Sequence, residues 1–540
     1  MRWWGWGEDG HQVVLPDAAL GLLRESLGVD PAARWGPVGL EEVRLPDARL
    51  GEEMRSGLEH VAGRDHVSQE RQARILHAAG KSYPDLVRMR SGDASSAPDV
   101  VVAPGSAQEV QALLRLCAEA GVAVVPFGGG TSVVGGVEPV REGFAGTVSL
   151  DLHRLDGLDA VDRVSLTATL GAGLFGPEAE RRLAREGLTL GHLPQSFEYS
   201  TVGGWVATRS AGQASTGYGR IDELVEGLRL VTPAGELAGR ALPASAAGPD
   251  LRELVVGSEG VLGVICEATL RVRPLPELRR YEGWSFRSFA EGCEAFRVME
   301  QAGCSPDVTR LSNEEETRLA MALASRGAGS DRAAKTYLRV RGHEGGCIAI
   351  VGFEGEADEV ELRRLRTAAL LRGGGGLRLG RRPGERWLAT RYAGPYLRDE
   401  LLDRGVLVDT LETATKWSNL AHLHAAVTEA LHHTLGERGT PALVMCHVSH
   451  LYRSGASLYF TFLARQEAEA PLDQWRAAKS AASEAIMAGG GTITHHHAVG
   501  RDHAPWMRAE VGELGLELLR AAKGRLDPAG IMNPGKMLPG

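Results

Sequence analysis

The sequence predicts an α+β chain of more than one domain, and three observations carry that prediction. A helical lead-in fills the first ninety or so residues. A strand–helix–strand unit running into a glycine loop follows at 100–136. Beyond a proline-ended segment at 264–276, helical runs alternate with strand-like pieces. At 540 residues the chain is long for one domain, and we bound its segments at 1–94, 95–276, 277–490 and 491–540.

The elements follow in chain order. Asp17–Leu27 and Gln69–Ala79 carry apolar residues at helical spacing. Val100–Ala103 is a short β-branched run, and Pro104-Gly105-Ser106 is a helix start. Gln108–Gly121 then sets Val110, Leu113, Leu114 and Cys117 on one helical face. Val122–Pro126 reads as a buried strand opening into the loop Phe127–Gly136. Strand patterns recur at Gly146–Asp151 and Ser165–Leu170, an amphipathic helix at Pro177–Glu186, and glycine-rich stretches at Gly203–Ala214 and Gly257–Gly263. Val264–Pro276 alternates and ends in prolines, which places a boundary there. Farther on, Ile348–Phe353 and Ser457–Leu463 are strand-like, Arg372–Gly380 reads as a loop, and Glu510–Gly524 as a helix.

Composition narrows the function classes. Hydrophobic residues at 43% and charged residues at 24% match a soluble globular chain with a sizeable core. Sixty Lys+Arg against 69 Asp+Glu give a net charge of -9, so no basic surplus points to nucleic acid. The six cysteines lie far apart with no C-x-x-C pair, which fits a reducing compartment. The start, MRWWGWGEDGHQ, is too polar for a signal peptide, no apolar run approaches the ~20 residues that span a bilayer, and MLPG is not a peroxisomal address. The expectation is a cytoplasmic protein.

The chemistry concentrates in glycine–hydroxyl segments. In Pro126-Phe127-Gly128-Gly129-Gly130-Thr131-Ser132, three glycines let backbone N–H groups converge on an anion, and two hydroxyls add donors for a pyrophosphate. No Lys follows, so this is not a Walker loop, and no long helix opens from it as in a Rossmann turn. Alone, a triple glycine is equally an ordinary turn. Three further cradles follow in order: Gln195–Gly204, Thr208–Gly219 and Gly257–Ile265. Near the end stand His495, His496 and His497; on a strand, the first and third would share a face. Acid–base work near neutral pH ranks first for this run. Metal binding, with His447, His450 and His503 nearby in sequence, ranks second, and plain solvent exposure third.

The four cradles together resemble the flavin-binding domain of the vanillyl-alcohol-oxidase, or PCMH, type. The resemblance covers most of the chain. WWGWG, PFGGGTSVVGG, STVGGWVATRSAG, GRIDELVEGLRLVTPAGEL, GSEGVLGVICEATLRVRP and ITHHHAVG make it similar to the alkyldihydroxyacetonephosphate synthase family. That resemblance implies a flavin domain of two α/β subdomains, a cap domain with an antiparallel sheet over the isoalloxazine, and a carboxyl-terminal His segment returning to the flavin domain. It implies noncovalent FAD held by Pro126, Phe127, Gly128, Gly129, Gly130, Thr131 and Ser132, by Gln195, Ser196, Phe197, Glu198, Tyr199, Ser200 and Thr201, by Thr208, Arg209, Ser210 and Ala211, and by Glu259, Gly260, Val261, Leu262, Gly263, Val264 and Ile265.

The implied reaction is redox-neutral: through a flavin N5 adduct, the acyl chain of acyl-dihydroxyacetone phosphate is exchanged for a long-chain fatty alcohol, the first ether bond of ether lipids. By that resemblance Arg398 matches the phosphate-binding arginine, a job its planar fork suits, although on a helix surface it also reads as an ion pair with Glu400 or Asp403. Arg310 matches a sensitive position. Tyr459 matches the catalytic tyrosine, on a strand face shared with Ser457 and Thr461, and the histidine run lies at the active site; no metal is assigned. Peripheral membrane contact for lipid access and a homodimer are partner readings; nucleic acid is excluded. The alternative is an FAD-dependent 2-hydroxy-acid dehydrogenase of the D-lactate or glycolate type, which the ending MNPGKML resembles; those enzymes keep Glu-His-Gly where this chain has three histidines. A flavin-binding sensor is a third class. Two departures stand out: Ala498 replaces a glycine after the histidines, a mild change by sequence alone, and Ala211–Gly219 is less basic than in the animal enzymes.

Overall fold

The computed structural model describes residues 1–539 except 12, 31, 326 and 327. Three larger sheets organise the described residues. In the first, Val100–Val102, Gly146–Asp151 and Val122–Phe127 run parallel, with Val67–Ser68 added antiparallel at one edge. Its helix, Ala107–Ala120, starts where the Ser106 hydroxyl accepts the Glu109 N–H and stops at Gly121, φ 62°. Val110, Leu113, Leu114 and Cys117 pack from that helix onto the sheet. The second sheet is antiparallel and carries Val264–Arg271 at its centre, between Thr167–Gly171 and Val225–Thr232.

The third sheet begins at Leu278–Phe286 and is antiparallel throughout. Its strands Val406–Lys416 and Gly455–Arg465 pair over eleven residues, which sets Glu412 opposite Tyr459. Leu458, Phe460 and Phe462 point to one side, where the helices Leu420–Glu437 and Pro471–Ala488 bury them. Alternation therefore sends Tyr459 to the opposite face. On that other side the lead-in helix Asp17–Leu27 packs Leu23 and Leu27 with Val406, Val408 and Leu463.

The segment read as a loop at Arg372–Gly380 is only partly one. The helix Ala357–Gly373 runs into it, and Leu377–Gly380 is an edge strand paired with Leu278–Phe286. The pairing is held by Arg378, which donates to the buried Glu282 carboxylate at 2.6 and 2.9 Å. No helix among the described residues is long and apolar enough to cross a membrane.

Candidate active site

The glycine loop leaves the end of the strand Val122–Phe127 and lies on the segment 199–201. A Cβ added at Gly129 would sit 1.6 Å from the Tyr199 carbonyl oxygen, and one at Gly128 would sit 2.4 Å from Thr201 Oγ1. Glycine is required by contact. The backbone N–H groups of Gly128–Ser132 find no acceptor within the described chain. Gly130 is buried and its four neighbours are half-buried, and a row of converging N–H groups without protein acceptors suits an anion. Ser132 Oγ is turned inward and accepts the Gly136 N–H at 2.9 Å.

The other cradles converge on this loop. Gly260, at φ 75°, packs against Pro126, and Glu259 donates its N–H to the Ala207 carbonyl, just before Thr208–Ala211. Val261, Leu262, Val264 and Ile265 are buried at the start of the central strand of the second sheet. Ser200 Oγ accepts the Trp205 indole N–H, and Thr201 caps the helix Val202–Thr208. Several side chains serve other contacts. Arg209 donates to the Val256 carbonyl and pairs with Glu253; Gln195 donates to the Arg391 carbonyl; Phe197 stacks on Trp205 and Tyr392; Glu198 faces the Tyr396 hydroxyl. The Ser210 hydroxyl lies 3.2 Å from His192 Nε2. Glu259 itself reaches across to the carboxyl-terminal segment, accepting the Val499 and Gly500 N–H groups at 2.7 Å each. Burial pushes its carboxyl up to about 7.

The histidine run is not a strand. Glu412, fully buried, accepts the backbone N–H groups of His495, His496 and His497 at 2.7–2.8 Å and the Thr494 hydroxyl at 2.7 Å, so the backbone bends around one carboxylate. All three rings are thereby gathered within 5.1 Å of a neighbour. Burial opposes ionisation of Glu412, but His496 beside it outweighs that and holds the carboxyl well below the usual carboxylate range. Burial also keeps the His495 and His497 imidazoles neutral, His497 down to about 3. His495 Nδ1 lies 2.8 Å from His496 Nδ1, and its Nε2 lies 2.5 Å from the Tyr452 hydroxyl. Ligand atoms of His450, His495 and His496 all fall within 4.8 Å of one another.

Tyr459 stands between this run and a second cluster. Its ring is 5.2 Å from His497 and stacks on His447 at 4.7 Å. Burial pushes its phenol up to about 12. His447 Nδ1 lies 3.0 Å from Glu316 Oε1 and its Nε2 3.2 Å from Arg310 Nη1. With Arg310 able only to donate, Nε2 is the acceptor and Nδ1 carries the proton. Arg310 also donates to Glu316 at 2.6 Å, so it orients His447 from beneath Tyr459. Arg398 stands on the helix Gly394–Leu402: Nη1 donates to the Lys81 carbonyl at 2.7 Å, and Nε and Nη2 are buried with no hydrogen-bond partner. Its ion pair is with Asp399 at 3.6 Å, and Glu400 and Asp403 are taken by Arg404 and Arg90. Sequence reasoning missed Glu412, Glu316 and Lys81; an acid within the apolar strand VLVDTLETA was the one visible signal.

Two family models match the chain, the FAD binding domain over residues 98–238 and the C-terminal domain of FAD linked oxidases over 275–537. The alkyldihydroxyacetonephosphate synthase of Dictyostelium discoideum is 37% identical over 544 residues, covering 99% of this chain and 85% of its relative. The chain belongs to the alkyldihydroxyacetonephosphate synthase family. A solved structure of a family member superposes with a TM-score of 0.85 at 32% identity, over 99% of this chain and 98% of that one. The 2-hydroxy-acid dehydrogenase alternative is only a distant relation: a glycolate oxidase subunit of Bacillus subtilis (strain 168) is 25% identical over 491 residues. As a family member the chain is an FAD-dependent enzyme of mixed α and β structure. The residues present fit that cofactor, because the N–H groups of Gly128–Ser132 have no protein acceptor and suit a diphosphate, and a Cβ at Gly129 would push the loop off the Tyr199–Ser200 backbone it lies on.

Proposed function

We propose that this enzyme exchanges the acyl chain of acyl-dihydroxyacetone phosphate for a fatty alcohol, forming an ether at C1. The observation that carries this reading is the gathering of Tyr459 and the imidazoles of His496 and His497 around one spot, with their backbone fixed by Glu412. FAD, when bound, supplies the ring chemistry that makes a redox-neutral exchange possible. The protein's part is to hold the phosphate and manage protons. Arg398 keeps two donors for phosphate oxygens. The leaving fatty acid departs as a carboxylate with its bonding pair, and the entering alcohol must lose its hydroxyl proton. His497, held down to about 3, is too weak a base for that proton, so its acceptor is His496 beside Tyr459, and the phenol, still protonated well above neutral pH, donates a hydrogen bond to the leaving oxygen.

Incubation with palmitoyl-dihydroxyacetone phosphate and radiolabelled hexadecanol tests the reading. A labelled lipid resistant to mild base supports it, and absence of that product sinks it. Mixed anaerobically with D-lactate or glycolate, the enzyme should keep its oxidised flavin spectrum; rapid bleaching would favour the dehydrogenase. The close approach of His450, His495 and His496 favours a second reading of the cluster as a divalent-metal seat. Activity that vanishes with chelator and returns with metal would select it. We assign the enzyme a peripheral approach to membrane lipid and a dimeric state; vesicle flotation and sedimentation test these.

A further inference from the structure

The amino-terminal residues fold tightly onto the helix that carries Arg398. Arg2 donates its N–H to the Gly7 carbonyl at 2.7 Å and its Nε to the Trp6 carbonyl at 2.9 Å, while Trp6 donates its N–H to Asp399 Oδ2 at 2.5 Å. A Cβ at Gly5 would lie 2.5 Å from that same carboxylate oxygen. Lys81, 5% exposed, donates from Nζ to the Arg2 carbonyl at 2.8 Å, and its own carbonyl accepts from Arg398.

Charge does not balance there. Arg2, Lys81 and Arg398 face one carboxylate, Asp399, which lies 3.8 Å from Arg2 and 3.6 Å from Arg398. The next acid, Asp85, is bound to Arg88 at 2.9 Å. Two positive charges are left over in a buried place, together with the two unpartnered donors of Arg398. Buried charge of that kind calls for a counter-ion of matching valence. Burial and the Arg398 guanidinium already push the Lys81 ammonium down to about 8, the direction a seated anion would reverse.

We propose that Arg2 and Lys81 join Arg398 in a single site for a phosphate monoester dianion, with the amino-terminal loop as its outer wall. This rests on the substrate reading given above for Arg398. The diphosphate of FAD is the other source of the same chemistry, since the Lys81 N–H donates to the Ser132 carbonyl of the cofactor loop at 2.6 Å. The free N–H groups of Gly128–Ser132 already serve a diphosphate, so the three cations are assigned to the monoester.

The test titrates FAD-loaded wild type, Arg2→Met and Lys81→Met with dihydroxyacetone phosphate and with inorganic phosphate, followed by calorimetry, and measures FAD content alongside. Each substitution should weaken both ligands about 10–100-fold, the loss of one charge-assisted contact in a dry site, with FAD content unchanged. Arg2→Lys should recover most of the affinity. Arg2→Met alone decides the matter if Lys81→Met does not fold. Unchanged affinity in the variants overturns the proposal, as does loss of FAD in place of phosphate affinity. Wild type that binds inorganic phosphate through these residues yet makes no ether lipid leaves the site standing and removes the synthase reading.

Discussion

The ring of Tyr459 lies flat on that of His447, centroids 4.7 Å apart and planes 18° from parallel. The stack positions the phenol without using its oxygen, because His447 is held from the far side by Glu316 and Arg310. Tyr459→Phe should therefore keep the fold, the stack and phosphate binding. Turnover should fall by about two to four orders of magnitude, the usual worth of a general acid–base group. A fully active variant, assayed for labelled ether lipid, would take the tyrosine out of the mechanism.

Gly129→Ala should abolish FAD retention. The added carbon would meet the Tyr199 carbonyl oxygen at 1.6 Å, and backbone on both sides leaves no flexible group to give way. Purified variant should be colourless, and a yellow protein with normal FAD content would contradict the cradle. Released by acid precipitation, the wild-type flavin should appear in the supernatant, because no tether holds it; colour left in the pellet would mean a covalent link.

Ala498 occupies φ 73°, where a side chain is unfavourable, at the position where the sequence resemblance implied glycine. The change judged mild by sequence is thus a strained one. Relief of about 1–2 kcal/mol in Ala498→Gly, set against an entropic cost of about 0.5–1 kcal/mol, should stabilise the protein by up to about 1.5 kcal/mol in urea unfolding. A destabilised variant would show that the strain is not real.

His503 gives a pH signature. It is buried, lies 2.9 Å through Nδ1 from the Ala498 carbonyl, and is pushed down to about 3 by burial, with Lys479 acting in the same direction. The unfolded chain takes up the proton near the ordinary value of 6.5 and the folded one does not. Its contribution is therefore complete above pH 6.5 and is lost as pH falls toward 3, by about 1.4 kcal/mol per pH unit. Glu259 and Asp502, both pushed up to about 7 by burial, act in the opposite sense as pH rises from about 4 to 7, so the comparison must be with His503→Asn, which keeps a donor for Ala498. Between pH 7.5 and 5.5 the wild type should lose stability relative to that variant; parallel curves would place His503 in water.

What the sequence discloses depends on how local the cause is. Gly129 is legible because the need for no side chain shows as a glycine, and the face that Tyr459 takes because its strand alternates cleanly. Arg372–Gly380 misleads because its pairing leans on Glu282, 96 residues before Arg378 in the chain. The histidine run misleads for the same reason: Glu412 is 83–85 residues away and overrides the extended backbone that three adjacent histidines suggest. Lys81 and Arg2 carry no local pattern at all. Only the folding of the amino-terminal loop onto the Arg398 helix reveals them.

The grip of Glu412 falls on peptide groups, and peptide groups are the same in every residue. Whatever ring stands at 495, 496 or 497, the main chain there keeps its anchor, so scaffold and reagent are separate parts. Exchanging one imidazole alters the chemistry on offer without unseating its neighbours, whereas exchanging the carboxylate would scatter all three at once. A surface fixed this way can be re-equipped one residue at a time.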